Sequence, residues 1–150
     1  MYKWTSVFVV LCACTPGQAK QSDNDIISDY QWEPGEETPR VQSGSVYCQM
    51  DPAGFYIVFI NVTADDPQGA SDLKEGLWSA NPIGSDTPII EDVLYCDGQE
   101  CIYSFHAQQY PEVPCALLTD FEFWAEVVDY SGNHTDPFQL DVLGDITPTE

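Results

Sequence analysis

An all-β domain is the fold this sequence predicts, built as a two-sheet antiparallel β-sandwich of about seven strands. Three observations predict it. From Val41 onward, short runs rich in β-branched and aromatic residues are separated by clusters of Pro, Gly, Asp and Asn. No sustained helical period of apolar residues is present, and the last two runs alternate apolar with polar residues. The runs recur at the spacing of sandwich strands, about seven in about 100 residues.

The strands are expected at residues 46–50, 55–62, 76–80, 89–95, 102–107, 121–128 and 138–143. Phe55-Tyr-Ile-Val-Phe-Ile is apolar at successive positions, which predicts a central strand covered on both faces. Phe121, Phe123, Ala125 and Val127 instead alternate with Glu122, Trp124 and Glu126, so that strand has one buried and one wet face. Phe138, Leu140 and Val142 alternate with Gln139 and Asp141 in the same way. Trp78 reads as a core residue.

Charge narrows the function. The chain has 25 Asp+Glu against 4 Lys+Arg, a formal net charge of -21. So few cations cannot neutralise a phosphate backbone or an anionic lipid surface, and nucleic-acid binding is excluded. At 43% apolar and 13% aromatic residues the chain is nevertheless too rich in core formers for a disordered polyanion. No run approaches the roughly 20 apolar residues of a spanning helix.

The N-terminus has its own pattern. A short cationic start, Met1 to Lys3, precedes the apolar run Trp4 to Leu11, which reads as the core of an exported signal. Leu11-Cys12-Ala13-Cys14 follows and resembles the lipobox of bacterial lipoproteins. The resemblance implies removal of residues 1–13 and acylation of Cys14; cleavage before Cys12 would put bulky Leu11 where a small residue is needed. The several acyl chains it implies would anchor the protein to the membrane permanently, because each buried methylene contributes about 0.8 kcal/mol. Thr15, in place of an Asp, points by the same resemblance to the outer membrane of the bacterial cell envelope. A buried N-terminal strand, or a secretory signal cut elsewhere, is the competing reading.

Residues 14–40 form the expected lipidated cysteine and acidic tether, 41–144 the β-domain and 145–150 a C-terminal tail. The tether is rich in Pro, Gly, Ser, Gln and acid, and self-repulsion extends it. Ile26, Ile27, Tyr30 and Trp32 are an apolar exception that would suit an extra docked strand.

Within the domain, Ala125-Glu-Val-Val-Asp129-Tyr-Ser-Gly132-Asn133-His-Thr135 followed by Phe138-Gln-Leu140 resembles the last hairpin of bacterial immunoglobulin-like and fibronectin type III-like domains. Ala64-Asp-Asp-Pro-Gln-Gly69-Ala-Ser-Asp72-Leu73 resembles the acidic loop that leaves their second strand. The resemblance implies an immunoglobulin-like sandwich, and it rests on turn chemistry. The disulfide of antibody domains, joining the second and sixth strands, is absent.

With Cys12 removed and Cys14 acylated, Cys48, Cys96, Cys101 and Cys115 remain, an even set in an exported chain. Cys96-Asp-Gly-Gln-Glu-Cys101 places two cysteines across a hairpin mouth, which selects Cys96 with Cys101 and Cys48 with Cys115. Zinc would require closer Cys or His spacing. His106 and His134 read as a strand and a turn histidine.

No nucleophile elbow, His-Glu-x-x-His, phosphate loop or EF-hand series is present, and no enzyme is predicted. Acid pairs such as Asp120 with Glu122 occur by chance in so acidic a chain. Asn61-Val-Thr and Asn133-His-Thr match the glycosylation pattern, accidental in a bacterial protein. Two surfaces stand out. Trp124 between Glu122 and Glu126 suits a sugar ring or a basic protein segment, unless a neighbouring strand or the Trp32 region covers it. Asp65, Asp66, Asp72 and Glu75 would share one pole of an immunoglobulin-like sandwich with Asp129, Asn133 and Asp136, the hard oxygen set of a calcium site. Asp and Asn also populate such turns simply by capping local backbone. No other cofactor is expected.

Overall fold

The computed structural model describes Trp32, Glu33 and residues 35–145, with the backbone alone at Asp145. The expected signal peptide, Cys14, the tether up to residue 31 and residues 146–150 lie outside the described residues. Eight strands run in chain order: β1 Arg40–Met50, β2 Tyr56–Asp65, β3 Leu73–Pro82, β4 Ile90–Asp97, β5 Glu100–His106, β6 Phe121–Asp129, β7 Phe138–Gln139 and β8 Asp141–Asp145. Short 3-10 turns occupy Ala70–Asp72 and Cys115–Asp120. No helix among the described residues is long and apolar enough to cross a membrane.

The all-β expectation holds, and the arrangement is more continuous than two separate antiparallel sheets. All eight strands belong to one sheet in the order β7-β6-β3-β4-β5-β2-β1-β8. Its edge strands, β7 and β8, are separated by Leu140 alone, so the sheet curls until it is nearly closed into a barrel. The pairing is mixed, because β8 runs parallel to β1 while the other neighbours are antiparallel.

Alternation builds the interior. Val58, Ile60, Val62 and Ala64 of β2 are fully buried, and Phe123, Ala125 and Val127 of β6 face them from the far side of the core. Side chains of this size each contribute about 1.5–3 kcal/mol on leaving water. The expectation of a second strand covered on both faces is corrected: Ile57 and Phe59 are only half-buried, and Phe55, 47% exposed, precedes the strand. A central strand of an antiparallel sheet needs only one dry face. Its outer apolar residues are shielded locally, with Phe59 stacked on Tyr47 at 5.2 Å between ring centroids.

Trp78 is the interior anchor, 2% exposed, with Phe105 stacked at 5.8 Å and Tyr103 at 5.7 Å. The hydroxyls of Tyr103 and Tyr110 both donate to Oδ2 of Asp92, at 2.7 and 2.8 Å. Val113 and Leu118, from the long β5–β6 connection, close the core, and a Cys48–Cys115 disulfide ties that connection to β1 with 5.7 Å between Cα atoms. The second disulfide, Cys96–Cys101, joins β4 to β5 where the two residues are register partners. These are the two pairings expected from the spacing.

Candidate functional site

Two places combine unusual chemistry with converging side chains. The first is the end of the molecule where the β2–β3 loop meets the β6–β7 turn. Carboxylate oxygens of Asp66, Asp72 and Asp129 lie within 4.8 Å of one another there. Backbone turns hold them: the Tyr130 N–H donates to Asp72 O at 2.9 Å, stitching the two loops together. Each loop pivots on a glycine at positive φ, Gly69 at 110° and Gly132 at 88°, a conformation that a side chain would oppose.

The three carboxylates differ in their partners. Asp129 is fully buried; Asn133 N–H donates to its Oδ1 at 2.8 Å and Asn133 Nδ2 to its Oδ2 at 2.7 Å. Burial alone would raise its carboxyl, but these donors, with the Gly132 and Ser131 N–H groups, hold it below the ordinary carboxylate range. Asp66, 4% exposed, accepts one hydrogen bond, from Gln68 N–H to Oδ1 at 2.7 Å, and its Oδ2 is shielded from solvent without a hydrogen-bond partner. Burial pushes the Asp66 carboxyl up; the Gln68 N–H opposes this, and the charges of Asp72, Asp129 and Asp65 add to it.

The remaining residues of the expected calcium set stand apart. Asp65 ends β2, where successive side chains point to opposite sides, and accepts from Gln42 and Gln99 instead. Glu75 pairs with Lys74 at 2.9 Å on the surface. Asn133 acts as a donor to Asp129, and Asp136 lines a separate groove with Glu36, Arg40 and His134.

The second place is the outer face of β3, β4 and β6. Register pairs Leu77 with Val93 and with Glu126, and Ser79 with Glu91 and with Trp124, so these side chains form two adjacent rows. With Pro137 they line a groove of about 450 Å³. Leu77 is 42% exposed and Trp124 half-buried, giving an apolar floor walled by Glu91 and Glu126. Of the three residues expected to form the binding surface, Trp124 and Glu126 line this groove, whereas Glu122 lies further along β6, opposite Asn81. Gln139 of β7 is the register partner of Trp124, so a neighbouring strand flanks it. Leu77 and Val93 escaped the sequence reading; the signal was Leu77 itself, an apolar residue on the parity opposite buried Trp78.

Comparison with protein-family models, with curated proteins and with solved structures finds no match to this chain.

Proposed function

We propose that the protein is a lipid-anchored component of the bacterial cell envelope, held at the outer membrane by acylated Cys14, whose domain is a non-catalytic immunoglobulin-like binding module. The observation that carries the binding reading is the outer-face groove, with Trp124 and Leu77 as its floor and Glu91 and Glu126 as its walls. An apolar floor accepts aliphatic stems or flat rings, while carboxylate walls on a chain of net charge -21 select a cationic partner and speed its approach. A basic protein segment satisfies both.

The neighbour relations of the strands support the immunoglobulin-like reading. β1-β2-β5-β4 follow the order of the four-stranded sheet of such domains, and β3, β6 and β7 that of the three-stranded sheet. Pairing of β4 with β3 joins the two halves. The anchor rests on the Leu11-Cys12-Ala13-Cys14 motif. Intact-mass spectrometry of membrane-extracted protein is expected to find residues 1–13 missing and acyl mass on Cys14; a soluble product with unmodified Cys14 would defeat that part.

An enzyme or enzyme accessory acting on envelope polysaccharide is the second reading, and the raised carboxyl of Asp66 favours it. Against it, none of Asp66, Asp72 and Asp129 lines the outer-face groove or the one beside it. Titration with a Lys-rich peptide and with a neutral oligosaccharide separates the two. Trp124→Ala is expected to weaken peptide binding at least tenfold while the fold persists. Oligosaccharide binding that survives Trp124→Ala, with no affinity for the peptide, would sink the proposal.

A further inference from the structure

We infer that Asp66, Asp72 and Asp129 hold a calcium ion at the pole formed by the β2–β3 loop and the β6–β7 turn. The inference is independent of the groove and of the lipid anchor. Geometry is its first support: oxygens bound to one calcium at about 2.3–2.6 Å stand no more than about 5 Å apart, and the three carboxylates meet within 4.8 Å. Asp66 and Asp72 belong to the β2–β3 loop and Asp129 ends β6, so one ion would bind that loop to the β6–β7 turn.

The state of Asp66 is the second, independent support. Its Oδ1 is occupied by the Gln68 N–H, which leaves Oδ2 as a buried acceptor without a protein donor. Buried polar atoms are rarely left so, and an unpaired carboxylate oxygen is among the costliest. The charges acting on it are those of other carboxylates, Asp72, Asp129 and Asp65. Arg40 and Lys74 form ion pairs with Glu36 and Glu75. A cation supplied from outside answers both the orphaned oxygen and the crowded charge.

Asp129 is built for the same role. Donors from the Asn133-centred turn offset its burial and fix its orientation beside Asp66 and Asp72. Water and loop carbonyls complete the six to eight oxygens that calcium accepts in irregular geometry. Magnesium, which demands near-ideal octahedral geometry and sheds water reluctantly, suits an irregular set of three carboxylates poorly.

The test is thermal unfolding of the full chain in EDTA, in calcium and in magnesium at matched ionic strength. A site of about 0.1 mM affinity, typical of extracellular modules, is half-filled at that concentration, and about 10 mM calcium then exceeds it about 100-fold, a stabilisation of about 2.7 kcal/mol. In a domain of this size the midpoint is expected to rise by about ten degrees. Asp66→Asn is expected to abolish the calcium response. Should that variant fail to fold, Asp72→Asn, at a half-exposed position, gives the same readout. Equal rises of a degree or two in calcium and magnesium, or an undiminished calcium response in the variants, would overturn the site.

Discussion

Around Trp78 the chain meets the needs of a partly buried carboxylate with its own donors, while at the loop pole it gathers three carboxylates and leaves one oxygen unmet. Asp92 accepts from the Tyr103 and Tyr110 hydroxyls and the Val93 N–H. Burial would raise its carboxyl, but those donors hold it below the ordinary range. Asp66 has one donor and three acidic neighbours. With 4 Lys+Arg against 25 Asp+Glu, a buried acid in this chain cannot count on a side-chain cation. Hydroxyls and an N–H group balance the Asp92 carboxylate; the Asp66 carboxylate is left to an ion from solution.

The contrast can be broken most forcefully through the Cys48–Cys115 bridge, which ties β1 to the β5–β6 connection rather than to the loops of the pole. Its sequence separation of 67 implies a loss of about 4 kcal/mol when both residues become Ala. Urea unfolding is expected to give that loss equally in EDTA and in calcium. A deficit that calcium largely restores would mean that the metal supports both regions. Tyr103→Phe comes next, since it removes a hydrogen bond to a charged acceptor, worth about 1.5–3 kcal/mol. The pH dependence follows from the depressed Asp92 carboxyl: its stabilisation is present above about pH 3.9 and disappears as pH falls through the lower folded value. Tyr103→Phe is therefore expected to flatten that acid limb, and an unchanged limb would remove Asp92 from the account.

Gly132→Ala sharpens the pole. Forcing a side chain into φ 88° costs about 1 kcal/mol and displaces the Asn133 donors from Asp129. Calorimetric titration is expected to show weaker calcium binding in this variant, while a variant with full affinity would show that the turn does not shape the site.

Much of this was legible before the structure. Five strands, β2 to β6, lie within a few residues of the expected ranges, because period-two alternation with turn chemistry between runs is a local signal. What was missed depends on distant partners. β1 starts at Arg40, although Val41-Gln-Ser-Gly-Ser has little strand character, because β2 offers a hydrogen-bonding edge as far as Asp65. The last run splits at Leu140, whose N–H turns to Phe123 O at 2.8 Å before β8 changes partner to β1. At the pole, composition identified the acids but not their directions. Asp65 and Asp66 are adjacent, yet strand geometry sends one to Gln42 and Gln99 and the other inward. The groove was half legible, since Trp124 lay on a strand of obvious alternation whereas its partners came from β3 and β4.

Counting bound calcium by equilibrium dialysis of the full chain addresses the central contrast most directly, with Asp66→Asn and Asp92→Asn measured alongside. The account predicts one saturable calcium per chain, retained by Asp92→Asn and lost in Asp66→Asn. Unsaturable uptake that scales with net charge, or a saturable ion that both variants keep, would contradict it.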